Sequence, residues 1–352
     1  MKNKAVSNVI KTCMNVYKTG GAKWILRIII TLLFVWFVNG SLTSDDIRIL
    51  SENISLRYLG LSFLFGLIAT FLQVLRWRIV LSAMKFQVSF TDVVRSFLKG
   101  CFLGFMTPGR SGELFRGFDL DPSLKIRSVK ATVLDRAYAV IVVLIVGMSA
   151  AVAQKVYTGL EPLAIFILPV LVIMSVVLTG LCFFRYWSRF LRLPGFVKLS
   201  QETVFQFFRD VFALMKQPRF LVLTLMSHLF LLLQTSILFY MLGFTDFMWN
   251  LLTAAQSYAF MIFLPIFVAN AGIREFSFAT FMAQRDWGMV AVGIDAAAVG
   301  VSAAVLICNI ILPALAGLIW IYLDTKKQCK SPQQHKLNVE CMQRENEHEL
   351  QR

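Results

Sequence analysis

An all-α, polytopic membrane helix bundle is the fold class that this sequence predicts, and three observations predict it. Apolar runs recur at lengths that cross a bilayer, 57% of the residues are hydrophobic against 16% charged, and the mean hydropathy is +0.69, far above a soluble composition. The expected architecture has about six full spans, two re-entrant hairpins and a candidate inverted repeat.

Residues 1–23 carry Lys2, Lys4, Lys11, Lys18 and Lys23 without an acid, while Val6, Val9, Ile10, Cys13, Met14 and Tyr17 recur at helical spacing. A basic amphipathic helix on anionic lipid and a frayed cytoplasmic tail both fit. No small-residue cleavage site follows, so the first apolar run, Trp24 to Asn39, reads as an uncleaved anchor. Further spans are expected at Leu59 to Leu81, Arg136 to Ala153, Pro162 to Phe184, Phe220 to Gly243 and Asp295 to Leu323, the last interrupted by Pro313. The membrane domain thus covers 24–323.

Two other apolar segments behave differently. Ser96 to Met106 is too short to span, and Leu251 to Phe267 runs into Asn270-Ala271-Gly272 and then charges. They predict hairpins near 96–116 and 251–284, whose irregular backbone must face protein or water rather than lipid.

Orientation follows from lysine and arginine. Residues 1–23, the loop 185–219 with seven basic residues against Glu202 and Asp210, and the tail 324–352, which opens with Lys326, Lys327 and Lys330, belong in the cytoplasm. In the loop, Val204, Phe205, Phe208, Val211, Phe212 and Met215 share one face, as an interfacial helix would. With both termini inside, span, hairpin and span (59–81, near 108, 136–153) recur in the opposite orientation (220–243, near 270, 295–323), an arrangement that places a site at the midplane. A bacterial inner membrane is the expected location.

A net charge of +15 would suit nucleic acid, but the basic residues flank apolar runs and form no groove-like patch, so no nucleic-acid partner is expected. Cys13, Cys101, Cys182, Cys308, Cys329 and Cys341 lack metal-ligand spacing. No HExxH, GxSxG, Walker A or paired-carboxylate glycosidase pattern occurs, and His335 and His348 lie in the polar tail. Neither a cofactor, a metal nor a catalytic residue is expected.

The charged residues at membrane depth carry the chemistry. In the first hairpin Pro108, Gly109 and Gly112 break an apolar run that then supplies Arg110, Glu113 and Arg116. Glu113 and Arg116, three apart, can neutralise one another, which leaves Arg110 as an anion partner. The second hairpin repeats the composition with Pro265, Gly272, Arg274 and Glu275. For each Arg/Glu pair a structural ion pair that only locks the hairpin stands beside substrate binding. Arg136, after Asp135, either reaches Glu113 or snorkels to the headgroups, and snorkelling is favoured. Arg76, Trp77 and Arg78 read first as belt residues. His228 and Gln234 lie inside a span, where a hydrogen bond to a neighbouring helix is favoured over a proton relay.

Four elements in order, Leu75-Arg76-Trp77-Arg78, Pro108-Gly109-Arg110-Ser111-Gly112-Glu113 with Arg116, Val133-Leu134-Asp135-Arg136, and Pro265 with Gly272-Ile273-Arg274-Glu275, resemble the lysylphosphatidylglycerol synthase membrane-region family, a flippase-like domain. The resemblance spans about residues 24 to 323, nearly the whole chain. It implies a domain that moves an anionic or aminoacylated phospholipid, or a polyprenyl-linked lipid, between leaflets, with Arg110, Glu113, Arg116, Asp135, Arg136, Arg274 and Glu275 as substrate-binding residues. No soluble synthase domain follows the last span, so aminoacyl transfer is not expected. Two alternatives stay open: a membrane-embedded enzyme using Glu113 or Asp135 as acid or base, and a partner subunit recruiting a lipid-synthesis enzyme or glycosyltransferase.

Overall fold

The computed structural model describes residues 44–84, 86–105, 107–118, 120, 125–158, 217–263, 272–288 and 292–324. The expected spans at 24–39 and 162–184, the loop helix near 204–215, both terminal segments and Pro265 lie outside the described residues. Every regular element within them is helical: α1 (Ser44–Asn53), α2 (Leu56–Ala83), α3 (Phe90–Phe105), a 3-10 helix (Pro108–Phe115), α4 (Lys125–Thr158), α5 (Pro218–Met241), α6 (Phe247–Phe263), α7 (Ile273–Met282) and α8 (Ile294–Leu306).

Four of these helices are long and apolar enough to cross a bilayer: Leu56–Ala83, Ser128–Gln154 within α4, Pro218–Met241, and Ile294–Asp324, which continues α8. They are apolar nearly all round, the mark of a span rather than of a surface helix. Leu221, Val222, Leu225, Met226 and Leu229 on α5 stay exposed along one stripe, the face that lipid covers. The interruption expected at Pro313 takes the form of a π-helical stretch, Ile307–Ile311. Proline lacks an N–H and its ring crowds the carbonyl four residues back, so the preceding turn widens and the helix continues.

In the first hairpin region α3 is followed by the shorter 3-10 helix, and in the second α6 precedes the shorter α7. The first begins earlier than the apolar run suggested, at Phe90, because Ser89 Oγ accepts a hydrogen bond from the Asp92 N–H and its hydroxyl donates to the Asp92 carboxylate at 2.7 Å, which starts the helix ahead of the apolar residues. The second pairs α6 with α7.

The two sets, α2 to α4 and α5 to α8, follow one order of elements, as a candidate inverted repeat expects. Tyr58 at the start of α2 meets Tyr240 at the end of α5 with ring centroids 5.7 Å apart, and Phe65 meets Phe230 at 5.5 Å, so these two leading helices run antiparallel. Both end alike: Met84 (φ −84°, ψ 10°) caps α2 and Leu242 (φ −86°, ψ 9°) caps α5, and the N–H groups of Phe86 and Phe244 close the turns onto Leu81 and Phe239.

The remaining contacts are exchanged between the sets. Gly147 of α4 packs on α6, where a Cβ would overlap Ala259 and the Ala255 carbonyl, and Gly317 of the last span packs on α3, where a Cβ would overlap the Leu98 carbonyl and meet Phe102 at 3.1 Å. About two turns further along each helix a polar contact follows: Gln154 accepts a hydrogen bond from Gln256, and Asp324 pairs with Lys99 at 2.7 Å. Small residues let helices approach closely in lipid, where packing rather than hydrophobic transfer drives association.

Overpacking either contact costs about 1–3 kcal/mol, so Gly147→Val and Gly317→Val should each lower the midpoint of thermal unfolding in detergent, and by similar amounts. Outside the spans, the Asp246 carboxylate receives the Trp249 N–H at 3.0 Å and pairs with Arg285, which lies over the Trp249 and Trp287 rings at 5.4 and 5.0 Å. Burial pushes this carboxyl up, but the hydrogen bonds and the guanidinium outweigh it and hold it below its usual range. The stability it adds is therefore present above the ordinary aspartate value of about 3.9 and lost as pH falls through the lower folded value. Asp246→Asn should remove that acid sensitivity in unfolding midpoints measured between pH 5 and pH 2.

Candidate functional site

The first hairpin is held by its own backbone before any charge is counted. The Thr107 hydroxyl donates to the Leu103 carbonyl at 2.9 Å and accepts the Gly112 N–H at 2.6 Å, which folds the chain back on α3 after the break at Pro108. Arg110 sits in this turn at φ 57°, a left-handed conformation that costs a non-glycine residue about 1 kcal/mol or more.

The face of α3 that receives the returning chain is cut away at Gly100 and Gly104. A Cβ on Gly100 would lie 2.7 Å from Arg116 Cγ, and one on Gly104 would lie 2.5 Å from Glu113 Cγ. Two small residues one turn apart thus make the groove in which the charged side chains lie.

Those charges form one network across α2, the hairpin and α4. Glu113, 2% exposed, pairs with Arg110 Nε at 2.6 Å, with Arg116 Nη2 at 2.9 Å and with Arg136. Asp135, equally buried, receives Arg76 through two bonds at 2.7 and 3.1 Å and Arg116 Nη1 at 3.5 Å. Arg116 bridges the two carboxylates and lies over the rings of Phe97 at 4.5 Å and Trp77 at 5.1 Å, while Trp77 Nε1 donates to Ser96 Oγ at 3.0 Å. Bidentate and charge-assisted bonds of this kind offset the loss of water around buried ions.

Five of the residues expected at a site, Arg110, Glu113, Arg116, Asp135 and Arg136, are thereby brought together. Three local expectations change. Arg110 is paired with Glu113 rather than left without a counter-charge. Arg136 reaches Glu113 instead of snorkelling, since a carboxylate within the protein is a nearer partner than the headgroups. Arg76, expected to anchor at the interface, is a buried member of the network, facing Asp135 of another span. Arg78 keeps to the edge and lies over the Phe90 ring at 5.7 Å.

The second hairpin is built differently despite its similar composition. Gly272, at φ 85°, starts α7, and its N–H donates to Glu275 at 2.5 Å. Glu275 also accepts the Ser302 hydroxyl, and Arg274 Nη1 donates to the Ser302 carbonyl at 3.3 Å. Here the pair fastens α7 to α8. Arg274 nevertheless lies within electrostatic reach of Arg110.

In the second set α5 and the last span meet through a neutral amide pair, Asn309 donating to Gln234 at 2.7 Å, and Gly66 of α2 leaves room for both amides. His228 is buried with its ring 6.0 Å from Tyr258, whose hydroxyl bonds Thr235 at 2.9 Å. Among the described residues no group of His, Cys, Asp and Glu is arranged to hold a metal ion.

Asp135→Asn strips the counter-charge from two arginines at once and should cost about 3–5 kcal/mol, seen as loss of monodisperse protein in detergent. Adding Arg76→Met to that variant removes one stranded charge, and the double variant should recover part of the yield.

Residues 24–317 match the family model described as the lysylphosphatidylglycerol synthase TM region. No curated protein and no solved structure significantly matches the chain.

Proposed function

Because the chain belongs to the lysylphosphatidylglycerol synthase transmembrane-region family, a family of membrane proteins tied to lipid metabolism or flipping, we propose that it binds a lipid headgroup between its hairpins and carries it across the bilayer. The cargo is an anionic lipid, either a phospholipid or a polyprenyl-linked one. Both termini lie in the cytoplasm of a bacterial cell, with the inner membrane as the site of action.

One observation carries this reading: four arginines converge on two carboxylates beside helices long and apolar enough to span, and two of those arginines stay partly exposed. Arg110 and Arg136 are 31% and 36% exposed, whereas Arg116 is 1% exposed. A purely structural pair has no need of surplus, half-open guanidinium groups. The barrier to moving a headgroup is the cost of its charge in hydrocarbon, several kcal/mol, and fixed counter-charges in a protein-lined cavity lower it while the acyl chains stay in lipid. Exposing the charged site to the two leaflets in turn would move the headgroup across.

An enzyme using Glu113 or Asp135 as a proton donor or acceptor fits less well, because arginines already bond both carboxylates.

In proteoliposomes carrying a tail-labelled anionic phospholipid, the wild-type chain should accelerate leaflet exchange, read as the fraction of label quenched from outside over time. Arg136→Gln and Arg110→Gly should each slow it about tenfold, the scale of one lost charge-assisted contact. Unchanged exchange in both would refute the mechanism.

A further inference from the structure

Charge counting at the first hairpin narrows the headgroup. Arg76, Arg110, Arg116 and Arg136 share Glu113 and Asp135 (4 − 2 = +2) among the described residues. Arg76 and Arg116 are buried and both bond Asp135, while Arg110 and Arg136 both draw on Glu113, which Arg116 also occupies. The surplus therefore appears at the two half-open arginines. A carboxylate offers about four acceptor positions and each guanidinium five donors, so Glu113 cannot satisfy three guanidinium groups. Arg274, within electrostatic reach of Arg110, brings its own carboxylate in Glu275, so it leaves the surplus at two.

We infer that the site takes a dianionic phosphate, the phosphomonoester or diphosphate end of a lipid, in preference to a phosphodiester or an aminoacylated headgroup; this rests on the lipid-binding reading above. A phosphodiester brings one negative charge and leaves one positive charge uncompensated in a low-dielectric setting. A phosphomonoester above its second ionisation, about 6, brings close to two charges and three terminal oxygens, enough to engage two guanidinium forks at once. A headgroup with an added ammonium brings charge of the wrong sign to Arg110 and Arg136. The half-exposed Phe115, which stacks edge-on against Phe118 at 5.0 Å, places an apolar surface at the end of the same hairpin, as a lipid ligand requires and a free ion does not.

Isothermal titration calorimetry of the full chain in detergent tests this with dioctanoyl phosphatidic acid, dioctanoyl phosphatidylglycerol and inorganic pyrophosphate as probes. At pH 7.5 phosphatidic acid should bind about tenfold more tightly than phosphatidylglycerol, the scale of one further charge-assisted contact. At pH 5, where phosphatidic acid keeps a single negative charge, the preference should shrink to near parity. Arg110→Gly, which also relieves the left-handed backbone, and Arg136→Gln should each abolish the preference, and Arg48→Gln, on exposed α1, should keep it.

Equal affinities at pH 7.5, or a preference that does not change with pH in the wild-type chain, would overturn the inference without any variant having to fold. Pyrophosphate binding as tightly as phosphatidic acid would overturn its lipid half and identify the free ion as ligand. Loss of the charge preference alongside arginine-dependent leaflet exchange would sink this inference alone, whereas arginine-independent exchange would sink the transport reading.

Discussion

Two buried carboxylates hold the first half of this protein together, because a guanidinium in an apolar interior is tolerable only beside a counter-charge. Asp135 ties α2 to α4 through Arg76, and Glu113 ties the hairpin to α4 through Arg136. Arg116 touches both and lies on Trp77 and Phe97, so charge, cation–π contact and apolar packing converge on one side chain. The shape of α3 follows from this demand. Gly100 and Gly104 sit where any larger residue would displace Arg116 or Glu113. The network is thus a packing constraint as much as an electrostatic one.

The repeat shows what the network adds beyond folding. The second half has the same order of elements, the same cap after its leading helix and an exchanged glycine contact, yet its leading and last helices meet through the neutral amides of Gln234 and Asn309 rather than through an ion pair. An amide pair joins two helices without carrying charge into the membrane, so helix pairing alone does not need the ions. The second hairpin likewise spends Glu275 on the Gly272 N–H and the Ser302 hydroxyl, which secure α7. Among the described residues the surplus positive charge gathers where the first hairpin meets α4, while the second hairpin is mainly a brace.

Much of this was legible in the sequence. The four described spans and the break after α3 follow from apolar runs interrupted by Pro and Gly, since hydrocarbon thickness and backbone satisfaction leave few alternatives. The residues of the charged site were legible as types out of place. Their pairing was not, because Arg136 could reach either a headgroup or Glu113, and Arg76 read as a belt residue or a substrate contact, not as a partner of Asp135. Choosing needs the distance between helices that are remote in sequence. The spacing of Gly100 and Gly104 was a readable sign of close approach, though only the folded hairpin identifies what approaches.

The strain at Arg110 links these levels. A left-handed turn residue is ordinarily glycine or asparagine, and Gly109 and Gly112 flank this position in the same turn. An arginine at φ 57° is held there by the Thr107 bonds on one side and by the Glu113 ion pair on the other. A glycine would fold more easily and would lack the guanidinium. The turn thus accepts a backbone cost to set one further positive charge beside Glu113, already paired to Arg116 and Arg136, where that charge destabilises the unliganded protein and favours an anion.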